Sequence, residues 1–106
     1  MDTNKIEAYL GFALRAGKLV LGLNSIETVK KGVYCLLLDE GAAKNSHKEA
    51  RKLKEKFACP LIIIKDLGAL IKREGCKLAA LKDSSLAEAI LKEAGDKGIS
   101  IEGAIG

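Results

Sequence analysis

Apolar residues recur along this chain in two patterns, a helical spacing and short unbroken runs. Between residues 4 and 16 they follow the helical spacing, and Gly17 then closes the segment, which predicts a first helix. The run VYCLLLD, bounded by Gly32 and Gly41, and the run LIIIK, which follows a Cys-Pro pair, have the length of strands buried on both faces. The pattern therefore predicts helices that alternate with short buried strands.

Polar residues indicate where the other helices begin. Asn24 and Glu27 have the spacing of a capping box and predict a second helix that Gly32 ends. Ser46 and Glu49 have the same spacing and predict a third helix that runs to about residue 57. The remaining predicted elements are a first strand at KLVL, a short helix in DLGALIKREG, a fourth strand at KLAAL, and a last helix in SSLAEAILKEAG, capped by Ser84 or Ser85.

This order, α-β-α-β-α-β-α-β-α, predicts an α/β fold. We expect a three-layer α-β-α sandwich with a small, mostly parallel or mixed four-stranded sheet. A chain of 106 residues is long enough for one core, which we assign to a single domain at residues 1–94. Residues 95–106 contain four glycines and no clear period, so we expect a C-terminal tail there, unless ISIEGAI docks as an edge strand.

Composition and charge narrow the class of protein. Hydrophobic residues make up 48% of the chain and charged residues 30%, as in ordinary soluble domains. The longest apolar runs fall far short of the roughly 20 residues of a membrane span, and the start of the chain lacks the pattern of a secretory signal, so we expect a cytoplasmic protein with no membrane partner. A net charge of +4 and a pI near 9.0 favour an anionic partner such as RNA.

The cysteines do not indicate a metal site. Three cysteines, Cys35, Cys59 and Cys76, are scattered singly without the spacing of zinc ligands, and the chain has one histidine. No bound metal is therefore expected. Cys35 and Cys59 flank or lie in apolar runs, which predicts that they are core residues.

Few residues could support catalysis. Neither GxGxxG nor GxxxxGK[ST] occurs, so no nucleotide cofactor is expected. His47 lies in a strongly charged predicted helix, and Asp39 and Glu40 end a predicted strand, positions at which such side chains are usually solvated. We therefore predict that the protein is not an enzyme; an enzymatic role would need a hidden pocket around Asp39 and Glu40.

The start of the second helix carries more polar groups than a cap requires. Asn24, Ser25 and Thr28 lie where a helix N-terminus presents free N–H groups and a partial positive charge, which attract phosphates and the acceptor edges of bases. The simpler interpretation is that Asn24 only caps the helix. Phosphate contacts could come from the flanking lysines Lys18, Lys30 and Lys31.

Several ordered segments resemble the ribosomal L-seven-Ae family, and most closely its small bacterial YlxQ-like branch. They are LGFALRAGKLVLGLNSIETVKKG, EGAAKNSHKEARKLKEKFACPLIII, LGALIKREG and LAALKD, with RAGKLVLG and AAKNSHKEARKL…CP the most specific pieces. The match as a whole runs from about residue 4 to residue 92. The resemblance implies an α-β-α sandwich that binds RNA, typically a kink-turn, a helix–bulge–helix bent at tandem sheared G·A pairs. It also implies that two loops at one end of the sheet make the contacts.

The resemblance carries over to some site residues and not to others. Gly22 and Asn24 match the glycine and asparagine of the family pattern G-x-N-E-x-x-K, whereas Ser25 and Thr28 stand where glutamate and lysine are usual. Serine and threonine still form hydrogen bonds but lack those charges, so altered or weaker base readout is expected. The second loop corresponds to Gly75, Cys76 and Lys77, with Cys76 as its only apolar side chain.

Our leading hypothesis is a non-enzymatic protein that binds structured RNA, of the kink-turn kind or similar to it, and associates with the ribosome. The alternative is a protein-interaction module that keeps the scaffold and has lost kink-turn specificity. The predicted RNA-binding residues are Lys18, Gly22, Asn24, Ser25, Thr28, Lys30, Lys31, Gly75, Cys76 and Lys77.

Overall fold

A computed structural model describes residues 4–103 and confirms the α/β fold. Helices and short strands alternate along the chain, as the apolar pattern predicted. The helices are α1 (Asn4–Arg15), α2 (Leu23–Glu27), α3 (Lys44–Phe57), α4 (Leu67–Leu70) and α5 (Ser84–Asp96), and the strands are β1 (Leu19–Leu21), β2 (Cys35–Asp39), β3 (Leu61–Ile64), β4 (Leu78–Leu81) and β5 (Ser100–Glu102).

The sheet is mixed and has five strands rather than the expected four, in the order β1-β4-β2-β3-β5. Only β2 and β3 pair in parallel, while β1–β4, β2–β4 and β3–β5 pair antiparallel. The connection from β3 to β4 contains the four-residue helix α4 and stays at one end of the sheet. β4 therefore starts at the end where β3 finishes and runs antiparallel to β2.

The fifth strand lies in the segment expected to be a tail. Residues 100–102 pair antiparallel with β3, with Ile62 opposite Ile101, so the edge-strand alternative is confirmed there. The Arg51 side chain of α3 donates two hydrogen bonds to the Glu102 carboxylate, at 3.0 and 2.9 Å, and ties this edge to the helix layer. Residues 104–106 lie outside the described residues.

Apolar side chains fill both faces of the sheet, which makes the fold a three-layer sandwich. Successive residues of β2 alternate between the two faces, and the whole strand is buried, as its uninterrupted apolar run predicted. One face packs against α1, α4 and α5, and the other against α2 and α3. Cys35 and Cys59 are buried as predicted, and burial raises the pKa of the Cys59 thiol to about 11, so this thiol is held in its protonated form.

The predicted helix starts were less accurate. Gly22, not Asn24, is the residue that precedes α2, and α3 begins at Lys44, two residues before the predicted cap Ser46. The last helix is capped by Asp83, whose carboxylate accepts a hydrogen bond from the Leu86 N–H at 2.9 Å, rather than by a serine. Aspartate caps as well as serine does, so the sequence offered equivalent candidates at adjacent positions.

Helix α2 is also shorter than expected, ending at Glu27 instead of continuing towards Gly32. The hydroxyl of Thr28 donates to the Ser25 carbonyl at 2.7 Å, and the Thr28 N–H donates to the same oxygen at 3.2 Å. Bonds of this kind tighten the last turn of a helix and compete with its continuation.

Among residues 4–103, no helix is long and apolar enough to cross a membrane.

The carboxylate of Asp39 joins three parts of the fold at the end of β2. It is only 7% exposed, and it accepts hydrogen bonds from the N–H groups of Gly41 and Leu67, both at 2.8 Å. The ammonium group of Lys77 lies 3.5 Å away. Desolvation raises the pKa of Asp39, but the two N–H donors and Lys77 outweigh it and hold the pKa below its usual value. The solvated role expected for this residue is therefore wrong.

Replacing Asp39 by asparagine tests this role. The asparagine amide has one carbonyl oxygen and could accept only one of the two N–H groups, so we expect Asp39→Asn to lower the free energy of unfolding at pH 7 by about 1–3 kcal/mol. Because the folded-state pKa is lowered, the carboxylate stabilises the fold above its unfolded pKa of about 3.9 and ceases to do so as the pH falls through the folded value.

The measurement is urea unfolding of both proteins from pH 7 to pH 3. The difference in the free energy of unfolding between wild type and Asp39→Asn should persist at pH 5 and become smaller below about pH 4. Glu40→Gln is the matched control, since Glu40 is the exposed neighbour of Asp39 and should leave stability unchanged. A gap that is absent at pH 7, or that widens in acid, would contradict the role of Asp39.

Candidate nucleic-acid interface

The topology of the sheet brings several loops together at one end. The carboxyl ends of β1, β2 and β3 and the amino end of β4 meet there, because β4 runs antiparallel to β1 and β2 while β2 and β3 run parallel. We call this the Gly22 end. The opposite end, where β1 begins just after Lys18, is called the Lys18 end.

Gly22 connects β1 to α2 at the Gly22 end. Its φ of 89° lies in the region that favours glycine, and an added Cβ would meet nothing within 4 Å, so the requirement for glycine is conformational rather than steric. The Gly22 N–H donates to the Leu78 carbonyl at 2.9 Å. This bond places the start of α2 beside the residues that lead into β4.

The loop before β4 is held by its backbone against α4. The Arg73 N–H donates to the Gly68 carbonyl at 2.9 Å, and the Cys76 N–H donates to the Arg73 carbonyl at 3.1 Å. A Cβ on Gly68 would lie 2.9 Å from the Arg73 carbonyl oxygen, so the loop can approach α4 this closely only because residue 68 is glycine. The Cys76 thiol donates to the Leu78 carbonyl at 3.4 Å and is half-buried.

Two clefts flank the ridge formed by Gly75, Cys76 and Lys77. The smaller, of about 200 Å³, lies between this ridge and the starts of α2 and α3. The larger, of about 450 Å³, lies between the ridge and α4. Beyond the ridge, the smaller cleft is lined by Gly22, Leu23, Ser46, Glu49 and Leu78, and the larger by Asp39, Asp66, Gly68, Ala69, Lys72 and Glu74.

The structure brings together six of the residues predicted from the sequence. Gly22 lines the same cleft as Gly75, Cys76 and Lys77, and the exposed side chains of Asn24 and Ser25 follow on the first turn of α2. Neither Asn24 nor Ser25 uses its side chain to cap the helix, and in the described part of the chain neither side chain makes a hydrogen bond. Both are therefore open to an external partner.

The other four predicted residues lie away from the clefts. Lys18 precedes β1 and so lies at the opposite end of the sheet from Gly22. Lys30 and Lys31 belong to the segment that enters β2 at the Lys18 end, where the Tyr34 N–H donates to the Leu81 carbonyl. Thr28 follows the last residue of α2, and the neighbouring Glu27 carbonyl accepts a hydrogen bond from Lys56 near the end of α3.

Sequence reasoning missed three residues of the site. Ser46 and Glu49 line the smaller cleft although their spacing suggested a capping pair, and Gly68 sets the position of the loop. The capping interpretation hid the first two, because α3 starts earlier and leaves the side chain of Ser46 on its first turn. For Gly68 no sequence signal was available, since its role depends on the approach of a segment five residues later.

Two lysines at the Gly22 end are paired with carboxylates. Lys77 faces Asp39 at 3.5 Å and Lys72 pairs with Glu7 at 2.9 Å. The helix starts contribute instead: α3, with Ala43 before it, begins here without a side-chain cap, so its first N–H groups remain available. No group of three His, Cys, Asp or Glu side chains within residues 4–103 could hold a metal ion. The site thus offers backbone donors and uncharged side chains, with the exposed lysines Lys44 and Lys48 nearby on the first turns of α3.

A solved structure of a protein of unknown function from Bacillus halodurans shares this fold. The two chains superpose with a TM-score of 0.68 and 18% sequence identity, over 81% of this chain and 92% of that chain. A scan against protein-family models and a search of curated proteins found no match. At this identity the similarity establishes the architecture of the fold.

A substitution at Gly68 tests how the loop is held. Gly68→Ala forces a methyl group against the Arg73 carbonyl and should lower the free energy of unfolding by about 1–3 kcal/mol, as overpacking does. Gly95→Ala is the matched control: a Cβ at Gly95 in α5 meets nothing within 4 Å, so this change should raise stability by about 0.5–1 kcal/mol. Urea unfolding measures both. Equal behaviour of the two variants would contradict the close approach at Gly68.

Proposed function

We propose that this protein binds structured RNA through the Gly22 end of the sheet and recognises a kink-turn or a similarly bent duplex. One observation supports this more than any other. The two loops that the L-seven-Ae resemblance implies for RNA contact are neighbours here, joined by the hydrogen bond from the Gly22 N–H to the Leu78 carbonyl. Two loops fixed to one another can read the shape of an RNA as a unit.

The chemistry of the first loop suits base edges better than phosphates. Asn24 offers an amide that can donate and accept at once, and Ser25 offers a hydroxyl; both are exposed. A sheared G·A pair presents guanine and adenine edges in the widened groove of a bent duplex, where side chains of this size can reach them. The family's glutamate is absent at Ser25, so we expect modest affinity for guanine edges.

The second loop offers little for direct base readout. The thiol of Cys76 is committed to the Leu78 carbonyl, and Lys77 to Asp39. Its contribution to RNA binding would come from the exposed backbone at Gly75 and from the two clefts beside it, which could receive a base displaced from the bulge. The proposed role in the cell is association with the ribosome or with another structured RNA in the cytoplasm.

A protein-interaction module on the same scaffold remains the second candidate. The observation in its favour is the missing charge: Ser25 replaces the usual glutamate, and the hydroxyl of Thr28, in place of lysine, is bonded to the Ser25 carbonyl. Such a module would use the same end of the sheet without depending on RNA.

Binding of a kink-turn duplex and of a plain duplex, compared across a salt series, tests the proposal. The wild type should bind the kink-turn more tightly at every salt concentration, and Asn24→Ala should reduce this preference. Ser25→Glu restores the family's residue and should increase the preference by about 1–3 kcal/mol, the value of a good bidentate base contact.

Ser85→Glu is the matched control, because it adds the same charge to an exposed serine at the start of α5, away from the clefts. Equal affinity of the wild type for both duplexes would overturn kink-turn recognition. If in addition Asn24→Ala changed no RNA affinity, the protein-interaction module would be the better account.

A further inference from the structure

The Lys18 end carries cations that the proposed RNA site does not use. The segments that connect α1 to β1, α2 to β2, and β4 to α5 contain four lysines and a single carboxylate, that of Asp83. All four lysines are exposed, and none forms an ion pair within residues 4–103. They are Lys18, Lys30, Lys31 and Lys82.

Two of these lysines lie directly opposite each other. The Lys82 N–H donates to the Lys18 carbonyl at 2.8 Å, one step beyond the pairing of Leu19 with Leu81. In such a pair the Cα atoms are about 5.5 Å apart, and like charges facing each other across two strands are destabilising. The neighbouring carboxylate of Asp83 is bonded to the Leu86 N–H as the cap of α5. An external anion bound between the two lysines would relieve their repulsion.

An exposed aromatic side chain lies beside these lysines. The Tyr34 N–H donates to the Leu81 carbonyl at 2.9 Å, which places Tyr34 next to Lys82. Tyr34 is 47% exposed, and it is one of two large apolar side chains, with Phe12, that stand out as exposed in the described part of the chain. Phe12 belongs to the last turn of α1, directly before the segment that contains Lys18.

We propose that the Lys18 end is a second nucleic-acid surface, which binds a single-stranded stretch of RNA by phosphate contacts to Lys18, Lys31 and Lys82 and by stacking of a base on Tyr34. Aromatic rings surrounded by unpaired cations are the means by which proteins hold unstacked strands. A duplex would gain nothing from Tyr34, because its bases are already stacked. This surface goes beyond kink-turn recognition and does not depend on it.

The two ends of the sheet would then bind different parts of one RNA. The Gly22 end would read a bent duplex, and the Lys18 end, with Tyr34 beside its lysines, would hold a single strand that leaves that duplex. The fold itself provides this separation, because β1 sets the two ends about 10 Å apart along its three residues.

Fluorescence anisotropy with a labelled 12-nucleotide oligouridine tests the surface on the full chain. The wild type should bind with an affinity that falls with salt, and Lys18→Ala combined with Lys82→Ala should remove about 1.4 from the slope of log affinity against log salt, at about 0.7 per phosphate contact. Tyr34→Ala should weaken binding about tenfold, and Tyr34→Phe should keep it.

Three controls keep the test specific. Lys44→Ala with Lys48→Ala removes two exposed lysines from the first half of α3 and should change the affinity for oligouridine little. Asn24→Ala should leave oligouridine binding intact, so that failure of this surface and failure of the Gly22 end are distinguishable. Thermal unfolding of the Lys18 and Lys82 double variant should show no loss of stability, since the change removes a repulsion.

The surface is overturned by any of three results. The first is that the wild type fails to bind oligouridine. The second is that the Lys44 and Lys48 control variant loses as much affinity as the Lys18 and Lys82 variant, because the loss of affinity would then reflect net charge alone. A polyglutamate peptide of equal charge could also compete as well as oligouridine while Tyr34→Ala has no effect, and the surface would then be a general site for acidic chains.

Discussion

The candidate site depends on the hydrogen bonds and the ion pair of the Asp39 carboxylate. This carboxylate accepts hydrogen bonds from the N–H of Leu67 at the start of α4 and from the N–H of Gly41 after β2, and it faces Lys77 in the loop before β4. A buried carboxylate is tolerated only when hydrogen bonds and an opposite charge replace its hydration, and here they do. The same bonds therefore stabilise the end of the sheet and hold one wall of the larger cleft in place.

Around this carboxylate, the direction of β4 determines how the site is assembled. The chain between β3 and β4 stays at one end of the sheet, so β4 enters between β1 and β2 from the end where β3 finishes. Gly22, at the end of β1, then lies against Leu78, at the start of β4. Residues that are more than fifty positions apart in sequence meet as a consequence, and two loops become one surface.

The parts of the fold set by local pattern could be predicted from the sequence, and the parts set by long-range approach could not. The unbroken apolar run of β2 signalled its burial on both faces, and the helical spacing in residues 4–16 signalled α1. Strand direction was not predictable, since it depends on where the chain after α4 rejoins the sheet, and the fifth strand was foreseen only as an alternative, because it depends on where residues 100–102 dock. For the site, Gly22 and its loop partners were foreseen, whereas the position of Lys18 at the other end and the requirement for Gly68 appear only when the chain is folded.

The two ends of the sheet expose different side chains. At the Lys18 end, Lys18 and Lys82 face each other beside the exposed ring of Tyr34. At the Gly22 end, the exposed side chains of Asn24 and Ser25 lie beside two clefts, so the two ends are chemically different surfaces. Net charge alone, spread evenly over the molecule, would not distinguish them.

The central claim is that structured RNA contacts the Gly22 end, and a titration followed by amide chemical shifts in the ¹⁵N-labelled protein tests it most directly. Addition of an unlabelled kink-turn RNA should shift the amide signals of Gly22, Asn24 and Ser25 together with those of Gly75, Cys76 and Lys77, at a common midpoint. Shifts confined to the outer faces of α1 and α5, or no shifts at all, would contradict it.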